Sequence, residues 1–133
     1  MDSEPVLLAA IIFSDSAIRD QATGKLALVG IFQRFTASQI PFTSPAFFAT
    51  AFVTNLHGKI QRLPVMMKIQ DTNGYVITSA PGTVSATKGI GRTDVAEIVF
   101  PFPSTEFRVA GNYLAVVLID GKPIGIRGFN VTL

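Results

Sequence analysis

At 133 residues, 48% of them hydrophobic, the chain has enough apolar material for one self-sufficient core and needs neither a metal nor a disulfide to fold. Only 15% of its residues are charged, against roughly 25% in typical soluble domains, so little charge is available to cover the exterior. The net charge is +2 and the eleven basic residues are scattered from Arg19 to Arg127, which argues against nucleic acid as a partner, while the lack of cysteine excludes disulfides, thiolate catalysis and zinc–cysteine sites.

In chain order, Met1-Asp2-Ser3-Glu4 is acidic where a signal peptide is basic, and Ser14-Asp15 interrupts the apolar stretch from Val6 to Phe13. A cytoplasmic location is expected. No run approaches the roughly twenty apolar residues of a membrane-spanning helix, so no membrane association is expected either. Val6 to Phe13 reads as a buried strand, and Asp20 to Lys25 as a hairpin loop into a second strand from Leu26 to Phe35. Pro41 and Pro45 lack the N–H a ladder needs, so the chain crosses over between Gln39 and Pro45. Phe47 to Thr54 is the next strand. After the Asn55-Leu56-His57-Gly58 turn, Leu63, Val65, Met67 and Ile69 alternate with Arg62, Pro64, Met66 and Lys68, which points the odd positions at the core.

Asn73-Gly74 is a tight-turn pair leading into a strand from Tyr75 to Ser79. Thr83 to Lys88 is a weak polar strand, and Gly89 to Thr93 a flexible connection. Val95 to Phe100 is a strong strand with Glu97 on its wet face, ended by Pro101 and Pro103. The last hairpin joins Tyr113–Ile119 to the segment from Lys122 onward through Asp120-Gly121. These short strands at regular spacing, with no amphipathic helix, repeat or linker, predict an all-β, single-domain antiparallel β-sandwich of about eight strands over residues 1–133.

Thr23-Gly24-Lys25-Leu26-Ala27-Leu28-Val29-Gly30-Ile31-Phe32, together with Gly111-Asn112-Tyr113 and Asp120-Gly121-Lys122-Pro123, resembles an uncharacterised bacterial family of small single-domain proteins of unknown function. The resemblance covers most of the chain and implies an immunoglobulin-like sandwich. It supplies no catalytic or binding residues.

The residues themselves argue against several chemistries. His57 is the single histidine, and no Gly-x-Ser-x-Gly elbow accompanies it, so no catalytic triad is expected. One histidine, no cysteine and nine dispersed acidic residues make no metal site. Asp71-Thr72-Asn73-Gly74 lacks the later ligands of a calcium loop, and Gly89-Ile90-Gly91-Arg92-Thr93 lacks the ending of a phosphate loop. No cofactor is expected. Eleven phenylalanines, two tyrosines and no tryptophan suit dry contacts better than a sugar platform.

One surface stands out. In Phe47–Thr54, the polar Thr50 and Thr54 share a parity with Phe48 and Phe52, placing two phenylalanines on the face that alternation assigns to water. In Tyr113–Ile119, if Tyr113, Ala115, Val117 and Ile119 point inward, then Leu114, Val116 and Leu118 point outward. As neighbours in one sheet, the two strands would merge these five side chains into one apolar patch, unless a crossover segment such as Ile40-Pro41-Phe42 or Pro101-Phe102-Pro103 folds over it. The expected function is therefore non-enzymatic: association with another protein, most simply another copy of the chain. The alternative is a small-molecule or glycan-binding module using loop residues His57, Arg62, Lys88 and Arg92.

Overall fold

The computed structural model describes residues 7–54, 64–84 and 95–133. Within them the strands are β1 (Leu7–Arg19), β2 (Leu26–Phe32), β3 (Phe35–Thr36), β4 (Phe42–Thr43), β5 (Phe47–Thr54), β6 (Val65–Asp71), β7 (Val76–Pro81), β8 (Thr83–Val84), β9 (Val95–Phe102), β10 (Glu106–Phe107), β11 (Gly111–Ile119) and β12 (Lys122–Thr132). They form three sheets, ordered β2-β1-β5-β9-β8, β3-β12-β11-β6-β7 and β10-β4. Every pairing is antiparallel except that of β12 with β3, which is parallel. The fold is all-β, as the sequence predicts.

The two five-stranded sheets enclose one hydrophobic core. Period-two alternation selects its members: Phe47, Ala49, Ala51 and Val53 on β5, Met67 and Ile69 on β6, Ile98 and Phe100 on β9, and Ala115 and Val117 on β11 are all buried. Fully burying a Val, Ile or Phe side chain contributes about 1.5–3 kcal/mol, so these alternating rows are the main drive for the two sheets to meet. At one end the core is aromatic. Phe35 lies between Phe47, at 5.2 Å, and Phe107, at 5.4 Å, and Phe13 packs edge-on against Phe129 at 5.2 Å. The small β10-β4 sheet supplies Phe42 and Phe107 to this cluster, which explains why the expected crossover at Gln39–Pro45 contains a short strand.

Arg127 closes the seam between the two large sheets. It pairs across from buried Ala115, and its guanidinium lies 4.8 Å from the Phe13 ring centroid. Its Nη1 donates to the Ile11 carbonyl and its Nη2 to Gln33 Oε1, both at 2.6 Å. β2 pairs with β1 only from Phe13 onward, so Ile11 lacks a β2 partner and the guanidinium serves as its donor. Burial lowers the Arg127 pKa from its ordinary value.

β1 runs further than expected, through Ser14 to Arg19, and the extension matters. Ala10 pairs with Phe52, and Phe52 with Glu97, so these three share a row. A straight β1 would carry Arg19 about 30 Å beyond that row. Arg19 Nη1 nevertheless lies 2.6 Å from Glu97 Oε1. The β1–β2 hairpin therefore curls back over the face of its own sheet to which Glu97 belongs, opposite the buried Ala96, Ile98 and Phe100. Gly30 stands at the bend with φ +72°, and a Cβ there would collide with the Asp15 carboxylate. At the hairpin tip, the Asp20 carboxylate accepts from Ala22 N and Thr23 Oγ1, which holds its pKa below the usual carboxylate range.

Two local expectations change. β9 continues through Pro101 to Phe102, because β8 pairs with β9 only at Ile98 and Val99, and a residue without an N–H is tolerated where the strand has one neighbour. The β6–β7 turn is longer than a two-residue hairpin: Gly74 N donates to Asp71 O, Asp71 N to Tyr75 O, and Gly74, not Asn73, takes the positive φ. The Asp120-Gly121 turn has positive φ at both residues, as the sequence predicts.

Candidate functional site

The five side chains expected to form one patch are divided between two sheets. Phe48 and Phe52 belong to β5, whose neighbours are β1 and β9, whereas Leu114, Val116 and Leu118 belong to β11, whose neighbours are β6 and β12. A merged patch is thus ruled out by strand order. The β5 half is also partly closed. Thr50, on the same face as Phe48 and Phe52, is fully buried, as is Ser14, while the two phenylalanines are half-buried. The curled β1–β2 hairpin lies over this face, in place of either proline-containing crossover.

The β11 residues lie on an outer face shared with β12 and β6, whose exposure comes mainly from residues of those two neighbours. Val116 pairs with Ile126 on β12 and Lys68 on β6, and Leu118 pairs with Met66 on β6. Ile126 is 57% exposed and Met66 40% exposed, while Leu114 and Leu118 are half-buried and Val116 is covered by its neighbours. Five apolar side chains on three adjacent strands therefore form an outer face, interrupted by the polar parts of Lys68 and Gln70. Met66 was legible in the sequence as the apolar member of an otherwise wet parity. Ile126 was also legible, since it has the parity opposite to buried Phe129 and Val131, with the Pro123–Gly125 irregularity between it and the turn.

A concavity about 420 Å³ in volume lies between the Asp71–Tyr75 turn and residues 104–109. Asp71, Tyr75, Ile77, Thr78, Glu106, Arg108, Val109 and Tyr113 contribute to its wall. Asp71 Oδ1 accepts the backbone N–H groups of Asn73 and Tyr75, both at 2.9 Å, which fixes the carboxylate in the turn. Tyr113 is buried and donates its hydroxyl to the Val109 carbonyl at 2.5 Å. Burial raises the Tyr113 pKa, and the negative Asp71 adds to that shift. Sequence reading missed this site because its polar groups come from segments that only the fold brings together.

The loop residues His57, Arg62, Lys88 and Arg92 lie outside the described residues. Among the described residues no group of three or more His, Cys, Asp or Glu side chains is placed to hold a metal ion, and no helix is long and apolar enough to cross a membrane.

Strand order, core and surfaces define an all-β protein with a partly exposed apolar sheet face and a cavity beside the Asp71–Tyr75 turn. The chain belongs to the family of unknown function DUF6941, whose sequence model matches residues 9–132. No curated protein matches it in sequence. Among solved structures it is similar to the Pseudomonas fluorescens alkylpurine DNA glycosylase AlkC, bound to DNA containing an abasic-site analogue, with a TM-score of 0.52 and 11% identity. The match covers 96% of this chain and 30% of that one, and at this identity the likeness concerns the fold alone.

Proposed function

We propose that this chain is a non-enzymatic protein-association module on an immunoglobulin-like scaffold, pairing with a second copy through the outer face of the β12-β11-β6 strands. Strand order supports the scaffold. With β1, β5, β6, β7, β8, β9, β11 and β12 lettered A, B, C, C′, D, E, F and G, the sheets read A-B-E-D and G-F-C-C′, with β2 and β3 as added edge strands. Tyr113, near the start of β11, bonds back to Val109 in the manner of a tyrosine corner.

The observation that carries the association reading is the exposure of Ile126 and Met66 beside Val116 and Leu118. An isologous contact uses this face twice, so each apolar side chain buried counts in both copies. Rigid-body association costs at least about 4 kcal/mol, and the partial burial already present limits the gain, which places the dimer among weak, concentration-dependent ones. Protein suits this face better than nucleic acid, since the face is mostly apolar and the basic residues of the chain are scattered along it. Solution mass across a concentration series tests the reading, with Ile126→Lys as the disrupting variant.

A further inference from the structure

We propose that the cavity beside the Asp71–Tyr75 turn binds an alkylammonium group, supplied either by a small free amine or by a lysine side chain of another protein. This site is separate from the association face and does not depend on it. Its volume of about 420 Å³ suits a small ligand or a long side chain.

Charge chooses the ligand. Glu106 and Arg108 lie 3.4 Å apart and offset one another at the rim, which leaves Asp71 as the charge to be answered. Its Oδ1 is occupied by two backbone N–H groups, and among the described residues its other oxygen has no hydrogen-bond partner. Tyr75 is 70% exposed at the cavity wall, so its aromatic ring is accessible to a cation, while Ile77 and Val109 offer apolar surface to an alkyl stem. A carboxylate, an aromatic face and an aliphatic wall together match an ammonium on a carbon chain. An anion would meet Asp71 as a like charge, and a neutral polyol could donate to it but would leave its charge uncompensated.

The test is amide-resolved NMR titration of the full chain with n-pentylammonium, with 1-pentanol as the neutral isostere and with N-acetyl-lysine methylamide as the protein-like source. Saturable shifts confined to Asn73, Gly74, Tyr75 and Val109 are expected with an amine, and pentanol should bind about tenfold more weakly, the loss expected when a charged hydrogen bond is removed. Binding of both amines assigns the cavity to lysine side chains, and binding of pentylammonium alone assigns it to free amines. Asp71→Asn keeps an oxygen for the two turn N–H groups, so its spectrum should stay folded while amine affinity falls to the pentanol level. Tyr75→Leu should weaken the amine without altering pentanol binding. Equal binding of pentanol and pentylammonium, no saturable shift, or an Asp71→Asn chain that binds the amine unchanged would overturn the proposal.

Discussion

Arg19 and Glu97 are 78 residues apart in sequence, yet their side chains meet at 2.6 Å. That contact fixes the free end of the β1–β2 hairpin over the sheet from which it extends. Both side chains are 31% exposed, so solvent screening keeps the pair's contribution modest, within about 1 kcal/mol. Arg19→Ala should therefore change global stability little while releasing the hairpin. Hydrogen exchange should accelerate across Leu26–Phe32 and stay unchanged across β11 and β12. Uniform acceleration, or none, would show that the ion pair does not anchor the hairpin.

Gly30 tests the bend itself. An alanine there must hold φ near +72° and move the Asp15 side chain out of its way. The expected cost for Gly30→Ala is about 1–3 kcal/mol by denaturant unfolding. Combining it with Asp15→Ala should recover only the part due to the carboxylate, because the Asp15 Cβ, 2.9 Å from the added one, remains.

Thr50 marks the centre of the covered β5 face. Its hydroxyl is fully buried and has no hydrogen-bond partner among the described residues, a condition that costs about 1–3 kcal/mol. Thr50→Val keeps the shape and removes the orphaned group, so it should raise the unfolding midpoint. A loss of stability would mean that the hydroxyl is satisfied in solution.

Tyr113→Phe deletes the donor to Val109 O and should cost about 1–2 kcal/mol. Its pH dependence has a definite sign. Burial raises the folded-state pKa of Tyr113 above its ordinary value, so the associated stability is complete below the unfolded-state pKa and is lost as pH rises through the folded one. Urea unfolding at increasing alkaline pH should show a decline in the parent chain that is smaller in Tyr113→Phe.

Much of this fold was legible because alternation is local. Phe47–Thr54 was bounded correctly, its odd positions and those of Val65–Ile69 are core, and Asp120-Gly121 makes the turn its composition suggests. The pairing of strands was not local. Nothing in Phe48 or Leu114 says that their strands belong to opposite sheets, so the single patch does not form, and of its β11 members Val116 is buried and Leu114 and Leu118 are half-buried. The covering of Thr50 depends on a hairpin whose bend rests on one glycine and whose anchor is 78 residues away. Periodicity carries no information about either, and the cavity at Asp71 and Tyr113 escaped for the same reason.

The most direct measurement is solution mass by light scattering over a concentration series, for the parent chain and for Ile126→Lys. Association through the β12-β11-β6 face predicts that mass rises toward that of a dimer with concentration, and that Ile126→Lys, a charge at an exposed position, stays monomeric with an unchanged circular dichroism spectrum. A parent chain that remains monomeric throughout, or an Ile126→Lys chain that associates as before, would contradict it.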